Sequence, residues 1–152
     1  MNKTIIAFTV ALLLTPLAVL HAANASPAKP NILFILTDQQ HAGMLSCAGN
    51  PHLKTPMLDS LAATGTRFEL AYCANPVCMP SRFSMMTGVL PSRVGVETNG
   101  KGRAKVTPDV LEHSLGRVFG KAGYQTVYGG KVHLPMKLED IGFKNIEANG
   151  GP

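Results

Sequence analysis

The sequence has no tryptophan and only three cysteines in 152 residues. So few cysteines cannot staple a disulfide scaffold, and no Cys-x-x-Cys pair suggests a zinc ribbon or a thioredoxin-type site. Charge is sparse too. Acids and bases make up 15% of the chain, with 14 Lys and Arg against 9 Asp and Glu, a formal net charge of +5. The cations are scattered singly from Lys29 to Lys144, so no basic stripe exists and no nucleic-acid partner is expected. Beyond residue 25 no apolar run is long enough to span a bilayer. Apolar residues, by contrast, reach 45%, which suits a packed globular chain rather than a disordered one. The odd number of cysteines is left to explain.

Residues 1–25 read as an address. Lys3 precedes the apolar run Ile5 to Leu20, and Ala23-Asn24-Ala25 supplies a small-residue A-x-A end, the pattern of a secretory signal peptide. Pro16 interrupts the run, which falls short of the ~20 residues of a membrane span. Cleavage is therefore expected to leave 26–152 as an exported chain, periplasmic or secreted, with no stable membrane anchor.

The rest predicts an α/β fold. Asn31 to Thr37 is a continuous apolar run between Pro30 and Asp38, as expected of a parallel strand buried on both faces. It ends in the polar cluster Asp38-Gln39-Gln40-His41, and open α/β sheets hold ligands at that edge. Thr55-Pro56 starts a helix that Gly65 stops. Thr66 to Tyr72 reads as a short strand. Thr107-Pro108 begins a second helix, whose apolar spacing runs to Gly123, and Tyr124 to Tyr128 is the next strand. Gly116 and Gly120 weaken that helix by ~1 kcal/mol each relative to Ala, which suggests close packing there. Residues 89–106, with Gly95, Asn99, Gly100 and Gly102, read as a long loop.

The segment Asn75 to Gly88 carries the chemistry. Pro80 suits the first turn of a helix and Gly88 its end, so Cys78 stands at the helix N-terminus, where unsatisfied N–H groups favour negative charge. Arg82, four residues on, can share that side, and its planar cation suits a tetrahedral oxyanion. On the residues alone, a buried inert cysteine beside a surface arginine is the favoured reading.

Cys78-Met79-Pro80-Ser81-Arg82, continued by Ser84-Met85-Met86-Thr87-Gly88, resembles the signature of the formylglycine-dependent sulfatases, within the alkaline-phosphatase-like superfamily. Three further segments resemble that family in the same order: Pro30 to Gln39 its first strand and metal-binding turn, Thr55 to Ala62 its next helix, and Gly130-Lys131-Val132-His133-Leu134 its G-K-x-H-L element. The resemblance implies that a formylglycine-generating or sulfatase-maturing enzyme oxidises Cys78 to formylglycine. The hydrated aldehyde then attacks the sulfur of a sulfate ester and afterwards expels sulfate, one hard step split into two. It further implies that Arg82 holds the nucleophile and that Lys131 and His133 bind sulfate oxygens, or stabilise the formylglycine and leaving-group oxygens. Asp38, with Gln39 and residue 78, would ligate Ca2+, a hard cation that prefers oxygen donors.

Two departures accompany the resemblance. Gln39 stands where many relatives have a second Asp, and Val132 where an aromatic is usual. The family is also longer, so residues 26–152 resemble the N-terminal part of its catalytic domain. That part is expected to coordinate calcium incompletely and to have little activity alone. The alternatives are a phosphohydrolase of the same superfamily, against which the Cys-x-Pro-x-Arg pattern argues, and a non-catalytic exported anion-binding fragment. With Cys78 converted, the odd count becomes even, and Cys47 and Cys73 stand as a pair whose bridging depends on their separation.

Overall fold

The computed structural model describes residues 28–100 and 104–146, so the expected signal peptide lies outside them. The chain divides between Leu36 and Thr37, and each part is described by itself. In the first part, residues 28–36 form neither helix nor strand. This corrects the strand expected over Asn31 to Thr37. Apolar sequence alone does not make a strand; a neighbour must complete the ladder bonds, and Ile32 to Leu36 remain exposed.

In the second part, helix α1 (Pro56–Thr64) begins with Pro at its first position and closes with the Gly65 N–H donating to the Leu61 carbonyl at 2.9 Å. Its apolar stripe, Met57, Leu58 and Leu61, stays exposed. What holds α1 is polar. Asp59 accepts from the Ser46 hydroxyl at 2.6 Å, from the Cys47 N–H at 2.9 Å and from the Thr55 hydroxyl at 3.1 Å, tying the helix to a 3-10 turn at Ser46–Ala48. Thr66 to Tyr72 forms no strand, and Phe68, Leu70 and Tyr72 point to solvent, a second correction of the same kind.

Helix α2 (Cys78–Thr87) ends at Gly88, whose φ of 69° forms a left-handed cap with its N–H on the Ser84 carbonyl at 2.8 Å. Met79, Phe83 and Met86, at helical spacing, bury one face. They meet Val96, Leu134, Leu138 and Ile141 in the core. Each such side chain, fully buried, contributes about 1.5–3 kcal/mol over exposure. The core thus anchors α2 on one side and the chain after Gly130 on the other, which fixes the site between them.

The single helix expected after Thr107 is two, α3 (Pro108–Glu112) and α4 (Leu115–Lys121). Ser114 breaks it: its fully buried hydroxyl shares its one proton between the carbonyls of Leu111 and Ile141, and the Leu111 contact is a local bond that competes with the helical ladder. Gly116 does pack closely. A Cβ there would stand 2.4 Å from the Ile141 carbonyl oxygen and 2.7 Å from the Phe143 ring, whereas one at Gly120 would meet nothing within 4 Å. The expected strand at 124–128 shortens to β1 (Val127–Tyr128), paired in parallel with β2 (Lys144–Asn145), Val127 opposite Lys144. Residues 89–100 and 104–106 are irregular apart from a 3-10 turn at Pro91–Val94. Helices with a parallel strand pair agree with the α/β expectation at that coarse level. All three cysteines are free thiols, so Cys47 and Cys73 form no bridge. Among the described residues no helix is long and apolar enough to cross a membrane.

Candidate active site

The site grows from α2 outward. Cys78 is the first helical residue, half-buried, and Arg82 follows one turn later, its side chain 7% exposed. A cation so deeply buried needs partners, and Arg82 has three. Nη1 donates to the Lys131 carbonyl at 2.8 Å and to the Tyr128 hydroxyl at 3.3 Å, while Nη2 faces Asp38 Oδ1 at 3.4 Å. Tyr128, the last residue of β1, donates its own hydroxyl to the Lys131 carbonyl at 2.7 Å.

The turn after β1 delivers the second cation. Gly130 takes φ 90° and His133 takes φ 41°, and Leu134 then sinks into the core. Between these points Lys131 turns its ammonium to Asp38 Oδ2 at 2.9 Å. Each Asp38 oxygen therefore faces a different cation. The Lys131 hydrogen bond is the main cause holding the Asp38 carboxyl below its ordinary pKa, the Arg82 contacts add to it, and partial desolvation opposes both. The Nδ1 of His133 is buried with no hydrogen-bond partner among the described residues. Gln39 is exposed beside Asp38 at φ 53°, a left-handed conformation rare for a side chain other than Gly, Asn or Asp.

Asp38, Arg82 and Lys131, far apart in sequence, are thus brought into one polar cluster by side-chain contacts. Cys78 joins it only as the residue one turn before Arg82. Tyr128 is a member the sequence reading did not single out, although its place at a strand end just before Gly129-Gly130-Lys131 was a usable signal. Asn75 and Asn99 were likewise missed. Asn75 Oδ1 accepts the Val77 N–H at 3.1 Å and Asn99 Oδ1 accepts the Met79 N–H at 3.0 Å, both at the start of α2.

The sulfatase family profile matches residues 30–150. The chain belongs to the sulfatase family. It is similar to the uncharacterized sulfatase YidJ of Escherichia coli, 42% identical over 106 residues, which is 70% of this chain and 20% of that protein. To the N-acetylgalactosamine-6-sulfatase of Sus scrofa it is 42% identical over 130 residues, 78% of this chain and 25% of the relative. The ulvan-active sulfatase of Formosa agariphila matches at 42% over 108 residues, 71% of this chain and 20% of the relative. The chain thus spans a fifth to a quarter of the length of these sulfatases.

Calcium, which the family implies, can be tested against these residues. Among the described residues no group of three or more His, Cys, Asp or Glu could hold a metal ion. At Asp38 the donors are one carboxylate already facing two cations and, beside it in the chain, the neutral amide of Gln39. A calcium ion takes about six to eight oxygens, so this set does not make a site by itself.

Proposed function

We propose that this sulfatase chain carries the nucleophile side of a sulfate-ester hydrolase, with Cys78 as the precursor of the attacking group. The observation that supports it most is Arg82: buried, facing one acidic and two neutral oxygens, and one helical turn from Cys78. An anion site needs a cation that is already oriented and partly dehydrated, and these contacts give Arg82 both properties.

Formylglycine, once made from Cys78, supplies the nucleophile that takes the sulfuryl group. The remaining work falls to the chain's own side chains. Arg82, held by the Lys131 carbonyl and the Tyr128 hydroxyl, presents fixed positive charge beside residue 78. Lys131 exchanges its Asp38 contact for a sulfate oxygen, a short rotation for a flexible ammonium. His133, two residues after Lys131 on the same turn, serves the bound ester or its leaving oxygen. The N-terminus of α2 directs its dipole at the same place. Asp38 with Gln39 contributes to calcium binding only together with further oxygen donors, within the alkaline-phosphatase-like fold that the family implies.

The substrate class proposed is sulfated carbohydrate. The name N-acetylgalactosamine-6-sulfatase, borne by a relative 42% identical, denotes a sulfated sugar and supports that class. The maturing partner is a formylglycine-generating enzyme, and export by the signal peptide places the protein outside the cytoplasm.

The decisive measurement is the mass of the tryptic peptide from Phe68 to Arg82 after co-expression with a sulfatase-maturing enzyme. Conversion of thiol to aldehyde removes about 18 Da, which is the expected result. The peptide also holds Cys73, so fragment ions must put the loss on residue 78; a peptide with both thiols intact would refute the reading.

A further inference from the structure

Helix α2 begins without a cap of its own. Val77 occupies the N-cap in extended backbone, and its isopropyl group has no acceptor to offer. Buried N–H groups need partners, and at the start of α2 those of Val77, Met79 and Ser81 have them. The Val77 N–H goes to Asn75 Oδ1. Pro80 has no N–H, and the Ser81 N–H makes the first helical bond, to the Val77 carbonyl at 2.9 Å. The Met79 N–H is accepted from outside the helix, by Oδ1 of Asn99, twenty residues along the chain at 3.0 Å.

Asn99 sits on a loop that is itself held. Val96 is buried in the core at 1% exposure, its N–H donates to the Pro91 carbonyl at 2.9 Å, and Asn75 Nδ2 donates to the Glu97 carbonyl at 3.3 Å. The loop is therefore joined once to the segment before α2, through Asn75, and once to α2 itself, through Asn99. Asn99 itself is exposed and contributes nothing to the core.

We propose that Asn99 is a positioning residue for residue 78. Its carboxamide caps α2 from across the loop and so fixes the first turn that sets the direction of the Cys78 side chain. The inference rests on reading Cys78 as the source of the nucleophile, but its geometry stands without that reading. An exposed asparagine that only filled space would leave the first turn unchanged on removal. One that caps must loosen Cys78 and Met79 alone.

The test is backbone NMR on the full chain with Cys78 as thiol, comparing Asn99→Ala and Asn99→Asp with the parent. In Asn99→Ala, amide exchange at Met79 is expected to rise about tenfold, which is about 1.4 kcal/mol and within the usual range for a lost cap. The Cys78 shifts should move toward coil values, while protection at Phe83 and Met86 stays as it was. Asn99→Asp keeps the acceptor and should restore both signals. Unchanged Met79 exchange in Asn99→Ala overturns the proposal, as does loss of protection along all of α2, or an Asn99→Asp variant that behaves like Asn99→Ala. Failure of Cys78 to become an aldehyde would instead strike the proposed function and leave the Met79 result standing.

Discussion

Single side chains decide much in this protein, and Asp59 shows how. It accepts from a hydroxyl on each of Ser46 and Thr55 and from the Cys47 N–H. The Ser46 bond is the largest cause of its lowered pKa, with desolvation working against it and the Thr55 and Cys47 bonds adding to it. A carboxyl whose folded pKa lies below its unfolded value lends stability that is complete above the unfolded value, near 3.8 here, and fades as pH falls through the folded one. Protection of the Cys47 amide, taken relative to the intrinsic exchange rate at each pH, should therefore hold down to about pH 4 and fall only below it. In Asp59→Asn the same amide should exchange faster throughout the neutral range. An unaltered Cys47 rate in that variant would show that the 3-10 turn holds without the carboxylate.

At the scale of elements, two glycines of one helix make opposite predictions. A methyl at Gly116 would strike the Ile141 carbonyl and the Phe143 ring, whereas Gly120 opens on free space. Gly116→Ala should destabilise by about 1–3 kcal/mol or more through overpacking. Gly120→Ala should stabilise by up to about 1 kcal/mol through helix propensity. Urea unfolding midpoints of the two variants should move in opposite directions, and a shared direction would contradict the packing described. The contrast also shows what the sequence could reveal. Thr55-Pro56 with Gly65 located α1, and Pro80 with Gly88 located α2, because those signals act within a few residues. Glycine at 116 and 120 looked alike in sequence, since only the return of Ile141 to Phe143 tells them apart. The runs at 31–37 and 66–72 carried β-like composition, yet a strand is a property of two segments, and the pairing partner cannot be read from one of them. Ser114 was overlooked for a related reason: its acceptor at Ile141 lies 27 residues away. In the site, Asp38, Arg82 and Lys131 were named from motifs, but Tyr128, Asn75 and Asn99 act through contacts that no motif encodes.

On the scale of the whole molecule, apolar exposure stands out. Met57, Leu58, Leu61, Phe68, Leu70 and Tyr72, all in the second part of the chain, are 43–87% exposed. Apolar surface of this kind binds hydrophobic dyes and promotes association. The 152-residue chain should therefore enhance the fluorescence of an anilinonaphthalene dye and gain apparent mass with concentration in light scattering. A dye signal equal to buffer, with constant mass, would mean these side chains are covered in solution. The site has a whole-molecule quality as well, which is its sum of charge. Arg82 and Lys131 bring two positive charges and Asp38, held ionised by them, brings one negative, so the trio keeps a single positive charge. A sulfate monoester carries one negative charge at neutral pH, while a phosphate monoester carries about −1.5 to −2. The three side chains of this cluster would be neutralised by the first and over-neutralised by the second.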